Sequence, residues 1–319
     1  MGGALGVRRR SKKGLQPKGG GEMDSKQQAR AFFTQEHYHE LDIRYEPERR
    51  AVWCYLRPTS RPCYTPELLA ELEHFHRAIE HRTKLDAETG ERGGLCFLVL
   101  ASRIPRVFNL GGDLSLFLKL IRAGEREGLF RYAKSCIDLL HVSYHLPITT
   151  ISLVQGDAFG GGFEGALTSR VIIAERRAQM GLPEILFNLF PGMGAYSLLA
   201  RRLDPARAER LILSGRMYSA EELYEMGVVD VLAENDQGEE AVHAYMKKYM
   251  RASNGYDAIH RVRQIYHPIS YDELMRIVTI WVDAALQLNE RDLRVMERIA
   301  RAQEKLTVIR PSAVVKQLA

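Results

Sequence analysis

Only four cysteines occur in the 319 residues, Cys54, Cys63, Cys96 and Cys136. No two form a C-x-x-C pair and none has zinc-ligand spacing, so neither a disulfide scaffold nor a structural zinc site is expected. The ten histidines are scattered. His74 and His76, two apart on an expected helix, point to different faces, which argues against a metal pair. No apolar run reaches the roughly 18 residues that a membrane-spanning helix needs. The basic N-terminus has no apolar stretch behind it, so it does not read as a secretory signal, and the cytoplasm is the default expectation. No G-K-[ST] phosphate loop follows any of the glycine runs, and nucleotide binding is poorly supported.

A body charge of one sign is also missing. The net charge of +5 comes from 45 basic and 40 acidic residues. Six of the basic ones (Arg8, Arg9, Arg10, Lys12, Lys13 and Lys18) fall in residues 1–21, which hold no acid; the rest of the chain carries 39 against 40. A nucleic-acid-binding domain would carry a basic face of its own, so no nucleic-acid partner is expected. Residues 1–22 read as a solvated extension rich in Gly and Lys, with a nucleic-acid or membrane-surface arm as the alternative; Met23 is a candidate natural start.

What is present is an ordinary globular composition, 45% hydrophobic and 27% charged, with an alternation of strands and helices. Residues 41–57 predict two short strands around a turn at Glu46-Pro47-Glu48. A helix follows from about Thr65, an N-cap with Pro66 behind it, and Leu68, Leu69, Leu72, Phe75 and Ile79 form its apolar stripe. Residues 84–94 predict a polar loop. CFLVLAS (96–102) is a short, continuous apolar run, the pattern of a strand covered on both faces; TTISLVQG (149–156) reads as a second buried strand and RVIIAE (170–175) as a third strand. Helices are expected over 113–121 and 126–143 and from near Gly194. From about 240 to 305 the pattern is helical without strands. The order strand, loop, helix predicts an α/β fold.

Three segments carry the chemistry: FNLGGDLSLF (108–117), VQGDAFGGGFEGAL (154–167) and MGLPEILFNLFPGMGAYSLL (180–199). Gly160, Gly161 and Gly162 lie between a buried strand and a helix, where bare backbone can approach a ligand and N–H groups stand free. Gly111 and Gly112 repeat the arrangement one strand earlier. Two such loops can aim two N–H groups at one point, an oxyanion hole suited to a thioester carbonyl becoming an enolate. Glu164 directly follows one glycine run, and Glu184 stands in Leu182-Pro183-Glu184-Ile185-Leu186. Carboxylates among apolar neighbours are expected to have raised pKa values and to serve as acid and base. Singly, each reads better as a surface helix-cap carboxylate; together with the paired glycine loops they make a site.

These segments resemble the crotonase (enoyl-CoA hydratase/isomerase) superfamily, through Leu110-Gly111-Gly112-Asp113, Gly160-Gly161-Gly162-Phe163-Glu164, and Pro183-Glu184 with Pro191-Gly192-Met193-Gly194. The resemblance implies a ClpP/crotonase-like ββα spiral over residues 23–240 and a C-terminal helical region over 241–319 for oligomerisation and pocket cover. It implies an oxyanion hole from the N–H groups of Leu110 and Gly161, and acid–base roles for Glu164 and Glu184. Substrate contacts are expected from Gly111, Gly112, Gly160 and Gly192, and an acyl pocket from Phe159, Met193, Trp281 and Ile299. Over residues 93–305 the strings FNLGGDL, GGGFE, GLPE and LFPGMGAYS, with IWVDAALQL, are similar to the diffusible-signal-factor synthases of bacterial quorum sensing. That likeness implies dehydration of a 3-hydroxyacyl acyl carrier protein to a cis-2-enoyl thioester, then hydrolysis to the free acid. It implies a trimer or dimer of trimers, a membrane sensor histidine kinase as a partner, and no resident cofactor, phosphopantetheine arriving with the substrate. Gln155-Gly156 departs from the N-G usual in ordinary hydratases. The rival expectations are an enoyl-CoA hydratase or isomerase of fatty-acid metabolism, acting on CoA thioesters, and a non-catalytic binding protein on the same fold.

Overall fold

The computed structural model describes Gly2, residues 37–89 and residues 94–305. The expected basic extension, apart from Gly2, lies outside the described residues. Strands β1 (Leu41–Glu46) and β2 (Ala51–Leu56) pair antiparallel across a single 3-10 turn, Pro47–Arg49. Helix α1 (Pro66–Thr89) starts where Thr65 Oγ1 accepts the Leu68 N–H at 3.2 Å. It runs on to Thr89, so the loop expected over 84–94 is helical for its first six residues. The reason is local: Glu80–Lys84 and Arg82–Asp86 pair one turn apart at 2.8 and 2.7 Å and carry the helix through the polar sequence.

Next come β3 (Phe97–Ser102), β4 (Val107–Asn109), α2 (Leu114–Arg122) and α3 (Arg126–His145). The pattern repeats in β5 (Thr149–Val154), β6 (Asp157–Phe159) and α4 (Gly161–Leu167). It repeats again in β7 (Val171–Glu175), β8 (Gln179–Gly181), a 3-10 turn Pro183–Phe187 and α5 (Ala195–Arg202). Each round contributes one strand to a large sheet and one to a small sheet before turning into helix. With β9 (Met217–Ser219) and β10 (Val231–Ala233) further along the chain, the large sheet has the order β1-β2-β3-β5-β7-β10, and the small one β4-β6-β8-β9. The pairs β3–β5, β5–β7, β4–β6 and β6–β8 are all parallel, which makes the chain a ββα spiral. After α6 (Pro205–Ser214), β9 (Met217–Ser219), α7 (Ala220–Glu225) and β10 (Val231–Ala233), only helices follow among the described residues: α8 (Gly238–Met250), α9 (Ser253–Tyr266), α10 (Tyr271–Ala285) and α11 (Glu290–Lys305).

Both faces of the large sheet are covered, which is why β3 and β7 read as largely apolar runs. Val52, Cys54, Leu56 and Leu98 face the main core with α1, α3 and α10. The alternate residues Trp53, Tyr55, Phe97 and Val99 face a second core closed by Val242, Met246 and Tyr249 of α8. Residue 240, the expected end of the spiral, thus falls inside a helix that covers the sheet. No helix among the described residues is long and apolar enough to cross a membrane.

Candidate active site

The loops after β4, β6 and β8 meet at one cavity. Glu164 sits on the first turns of α4, 2% exposed, and points across to the loop before α5. Its Oε1 accepts the N–H groups of Met193 and Ala195 at 2.9 and 3.0 Å. Glu184 occupies the 3-10 turn that Pro183 opens. Its Oε2 is buried and finds no partner among the described residues. The other oxygen stands over Gly160: a Cβ there would lie 2.4 Å from Glu184 Oε1, and the Gly160 φ of +52° also favours glycine. Both carboxylates line the cavity.

Burial pushes both pKa values above the ordinary carboxyl range, and the nearby Glu164 charge adds to the rise at Glu184. For Glu164 the two backbone N–H groups oppose the rise, since they stabilise the ionised form. Glu184 has no such pair of donors. Of the two, Glu164 is thus the better stabilised as a carboxylate and Glu184 the better suited to hold a proton.

One expectation for the oxyanion hole is corrected. The Leu110 N–H donates to the Pro62 carbonyl at 2.7 Å, so it is not available to a substrate, and Leu110 does not line the cavity. Gly112 takes its place. A Cβ on Gly161 would stand 3.3 Å from the Gly112 nitrogen, and both glycines line the cavity beside the two glutamates. Gly161 opens α4, where the first N–H groups have no intrahelical acceptor. The Gly112 N–H has no acceptor among the described residues, while the Gly111 carbonyl accepts the Tyr64 N–H and the Gly112 carbonyl accepts Gln303 Nε2.

The remaining expected contacts divide. Gly192, Met193 and Trp281 line the cavity; Gly192 lies so close to the indole that a Cβ would be 2.4 Å from it. Phe159 and Ile299 are not lining residues. Phe159 alternates with the core-facing Ala158 on β6, and Ile299 flanks the buried stripe of α11. Gly111 and Gly160 act from behind the lining, through backbone shape.

The cavity also has an arm that the sequence did not announce. It is lined by Leu69, Leu72 and His76 of α1, Leu98 of β3 and Leu139 of α3. Burial lowers the His76 pKa to about 4, so the ring is neutral. Its Nδ1 lies 2.8 Å from the Leu72 carbonyl, which can only accept, so that nitrogen carries the proton. The i, i+3, i+7 spacing of Leu69, Leu72 and His76 is the same for a core stripe and a pocket wall, so periodicity alone does not separate the two.

Comparison with known proteins agrees with this geometry. The family model for enoyl-CoA hydratase/isomerase matches residues 94–305. An enoyl-CoA isomerase/hydratase of Zymoseptoria tritici is 33% identical over 189 residues, 58% of this chain and 58% of that protein. The chain thus spans less than two thirds of the length of the curated relatives it matches. Among solved structures, DspI of Pseudomonas aeruginosa superposes with a TM-score of 0.60 at 23% identity, over 72% of this chain and 81% of that one. An enoyl-CoA hydratase from Bacillus halodurans superposes with a TM-score of 0.65 at 22% identity, over 82% and 99%. The ββα spiral, the paired glycine loops and the matched family model together show that this chain belongs to the enoyl-CoA hydratase/isomerase family of the crotonase superfamily.

Proposed function

We propose that the protein adds or removes water across the 2,3-bond of an acyl thioester. The observation that carries this reading is the unequal pair: two buried carboxyls on one cavity, one held ionised by two N–H donors and the other left to keep a proton. In hydration, Glu164 takes a proton from the attacking water, whose oxygen bonds to C3. Glu184 delivers its proton to C2 as the enolate collapses. Dehydration is the reverse, and starts with the proton on Glu164. In both directions the Gly112 and Gly161 N–H groups face the thioester oxygen while it carries the enolate charge. The chemistry calls for no resident metal or redox group.

The finer reading is a synthase of a cis-2-unsaturated fatty acid signal. The enzyme would dehydrate a 3-hydroxyacyl chain on acyl carrier protein and then hydrolyse the thioester. What supports it is the likeness of the three motif segments to diffusible-signal-factor synthases. The tetrahedral oxyanion of hydrolysis also places its charge on the same oxygen as the enolate, so one pair of donors serves two steps. The arm lined by Leu69, Leu72, Leu98 and Leu139 would take the acyl chain. A homo-oligomer, trimer or dimer of trimers, fits α9, which buries no residue and exposes Ile259, Val262, Ile265 and Tyr266 at 59, 55, 81 and 77%. A membrane sensor kinase as partner rests on the family likeness alone.

The test is one time course with purified protein and 3-hydroxyacyl carrier protein, following enoyl thioester and free acid separately. Free 2-enoic acid without an added thioesterase supports the synthase. Enoyl thioester that accumulates with no free acid leaves a hydratase or dehydratase acting on CoA or carrier thioesters. No interconversion of either thioester would leave a binding protein.

A further inference from the structure

Gln303 is a polar side chain in the apolar stripe of α11, where its neighbours are Leu293, Met296 and Ala300. It is 4% exposed. Its Nε2 donates to the Leu110 carbonyl at 2.7 Å and to the Gly112 carbonyl at 3.2 Å. A buried amide costs free energy unless its hydrogen bonds are met, and this one is met by the loop that carries the Gly112 N–H.

The peptide planes of that loop are fixed one by one. The plane that carries the Gly112 N–H has the Gly111 carbonyl on its other side, and this accepts the Tyr64 N–H at 2.7 Å. The preceding plane is held at both ends: the Gly111 N–H reaches Asn109 Oδ1 at 2.8 Å, and the Leu110 carbonyl receives Gln303. The following plane is held through the Gly112 carbonyl by Gln303 and through the Asp113 N–H, which donates to the Tyr132 hydroxyl at 3.2 Å. Gly111, between them, has φ +96°, where a glycine turns with few steric restraints. Without a clamp, the planes on either side of it can rotate and take the Gly112 N–H off its aim.

We infer that Gln303 is a positioning residue for the oxyanion loop: the C-terminal helix α11 holds the Gly112 N–H on target through this one amide. Gln303 does not line the cavity, so it acts on the reaction only through the loop. The inference rests on the proposed use of Gly112 as a donor. The clamp itself can be read without any substrate.

The experiment compares wild type, Gln303→Met, Gln303→Glu and Met296→Ala. Met fills the space of Gln but donates nothing. Met296→Ala loosens the same helix without touching the loop. Hydrogen exchange over residues 108–114 should quicken in Gln303→Met and stay as in wild type in Met296→Ala. With a short 2-enoyl-CoA as probe, kcat of Gln303→Met should fall roughly tenfold to a hundredfold at unchanged KM, somewhat less than the loss from deleting an oxyanion donor outright. Gln303→Glu keeps the size and donates only when protonated. Its kcat relative to wild type should recover as pH falls from about 8 to about 5, because a buried carboxyl facing two carbonyls gains a donor on protonation. That readout also serves if Gln303→Met does not fold. Unchanged loop exchange in Gln303→Met, a loss confined to KM, an equal kcat loss in Met296→Ala, or a pH-independent Gln303→Glu ratio would each overturn the clamp. A wild type inactive on every thioester would overturn the functional reading instead, and the exchange data would still decide the clamp.

Discussion

Glu164 accepts two backbone N–H groups through one oxygen, at 2.9 and 3.0 Å, whereas its neighbour Glu184 buries an oxygen with no donor among the described residues. On the proposed reading, this difference sorts two chemically identical side chains into a base and an acid. It also makes their consequences separable by mutation.

Glu164→Gln and Glu184→Gln should each lower kcat by about 10²–10⁴-fold, the usual contribution of a general acid or base. The two act as a unit on one substrate, one taking a proton while the other gives one, so the double variant should lose little more than the worse single one. Steady-state rates, with circular dichroism to confirm the fold, check this. A single variant with full activity removes that residue from the mechanism.

The same pair predicts how stability depends on pH. The Glu184 pKa is raised in the folded protein above its ordinary value of 4.5. The protonated form is therefore the one that folding favours. Its contribution is fully present below the unfolded pKa and is lost as pH rises through the folded one. Glu184→Gln cannot ionise. Its melting temperature relative to wild type should climb as pH is raised from 4.5 through neutrality. Thermal melts across that range decide it, and a difference that shrinks with rising pH contradicts the assignment.

Gly161→Pro removes one oxyanion donor at the first position of a helix, where proline's fixed φ is tolerated. The fold should survive while kcat falls by about 10²–10³-fold. If free acid is a product in wild type, dehydration and hydrolysis should fall together, since both charges rest on one oxygen. A variant that loses one step alone would show that the two steps use different donors.

Leu98→Phe adds volume to the arm behind Glu164, where Leu98 faces Leu69, Leu72 and Leu139 along the lining. Overpacking should cost about 1–3 kcal/mol of stability. Turnover of long acyl chains should drop well below that of a four-carbon substrate, whose tail would not reach the arm. A chain-length series of KM values tests it, and an equal change at every length would mean that the acyl chain runs elsewhere.

Much of this protein is legible without a structure. The covered strands at 97–102 and 171–175 show as largely apolar runs because α8 closes the second face of the sheet. Thr65 with Pro66 marks a helix start by capping chemistry, which is local. Strands β4, β6, β8 and β9 are three residues each, too short for any periodicity, and only their pairing into a second sheet defines them.

The sequence by itself determined the glycine runs that let backbone approach a ligand, and the placing of Glu164 and Glu184 among apolar neighbours. Bare backbone and apolar flanks are properties of residue type and adjacency. Tertiary structure alone decided which amides are free. The Leu110 N–H is spent on Pro62, a residue 48 positions earlier, and the Gly112 N–H has no acceptor among the described residues. It alone gave Glu164 its two N–H donors, Met193 and Ala195, which lie 29 and 31 residues away. It alone brought Gln303 onto Leu110 across 193 residues of chain. A hydrogen bond between distant segments depends on where the packed core brings the backbone, and no local pattern of residues records that.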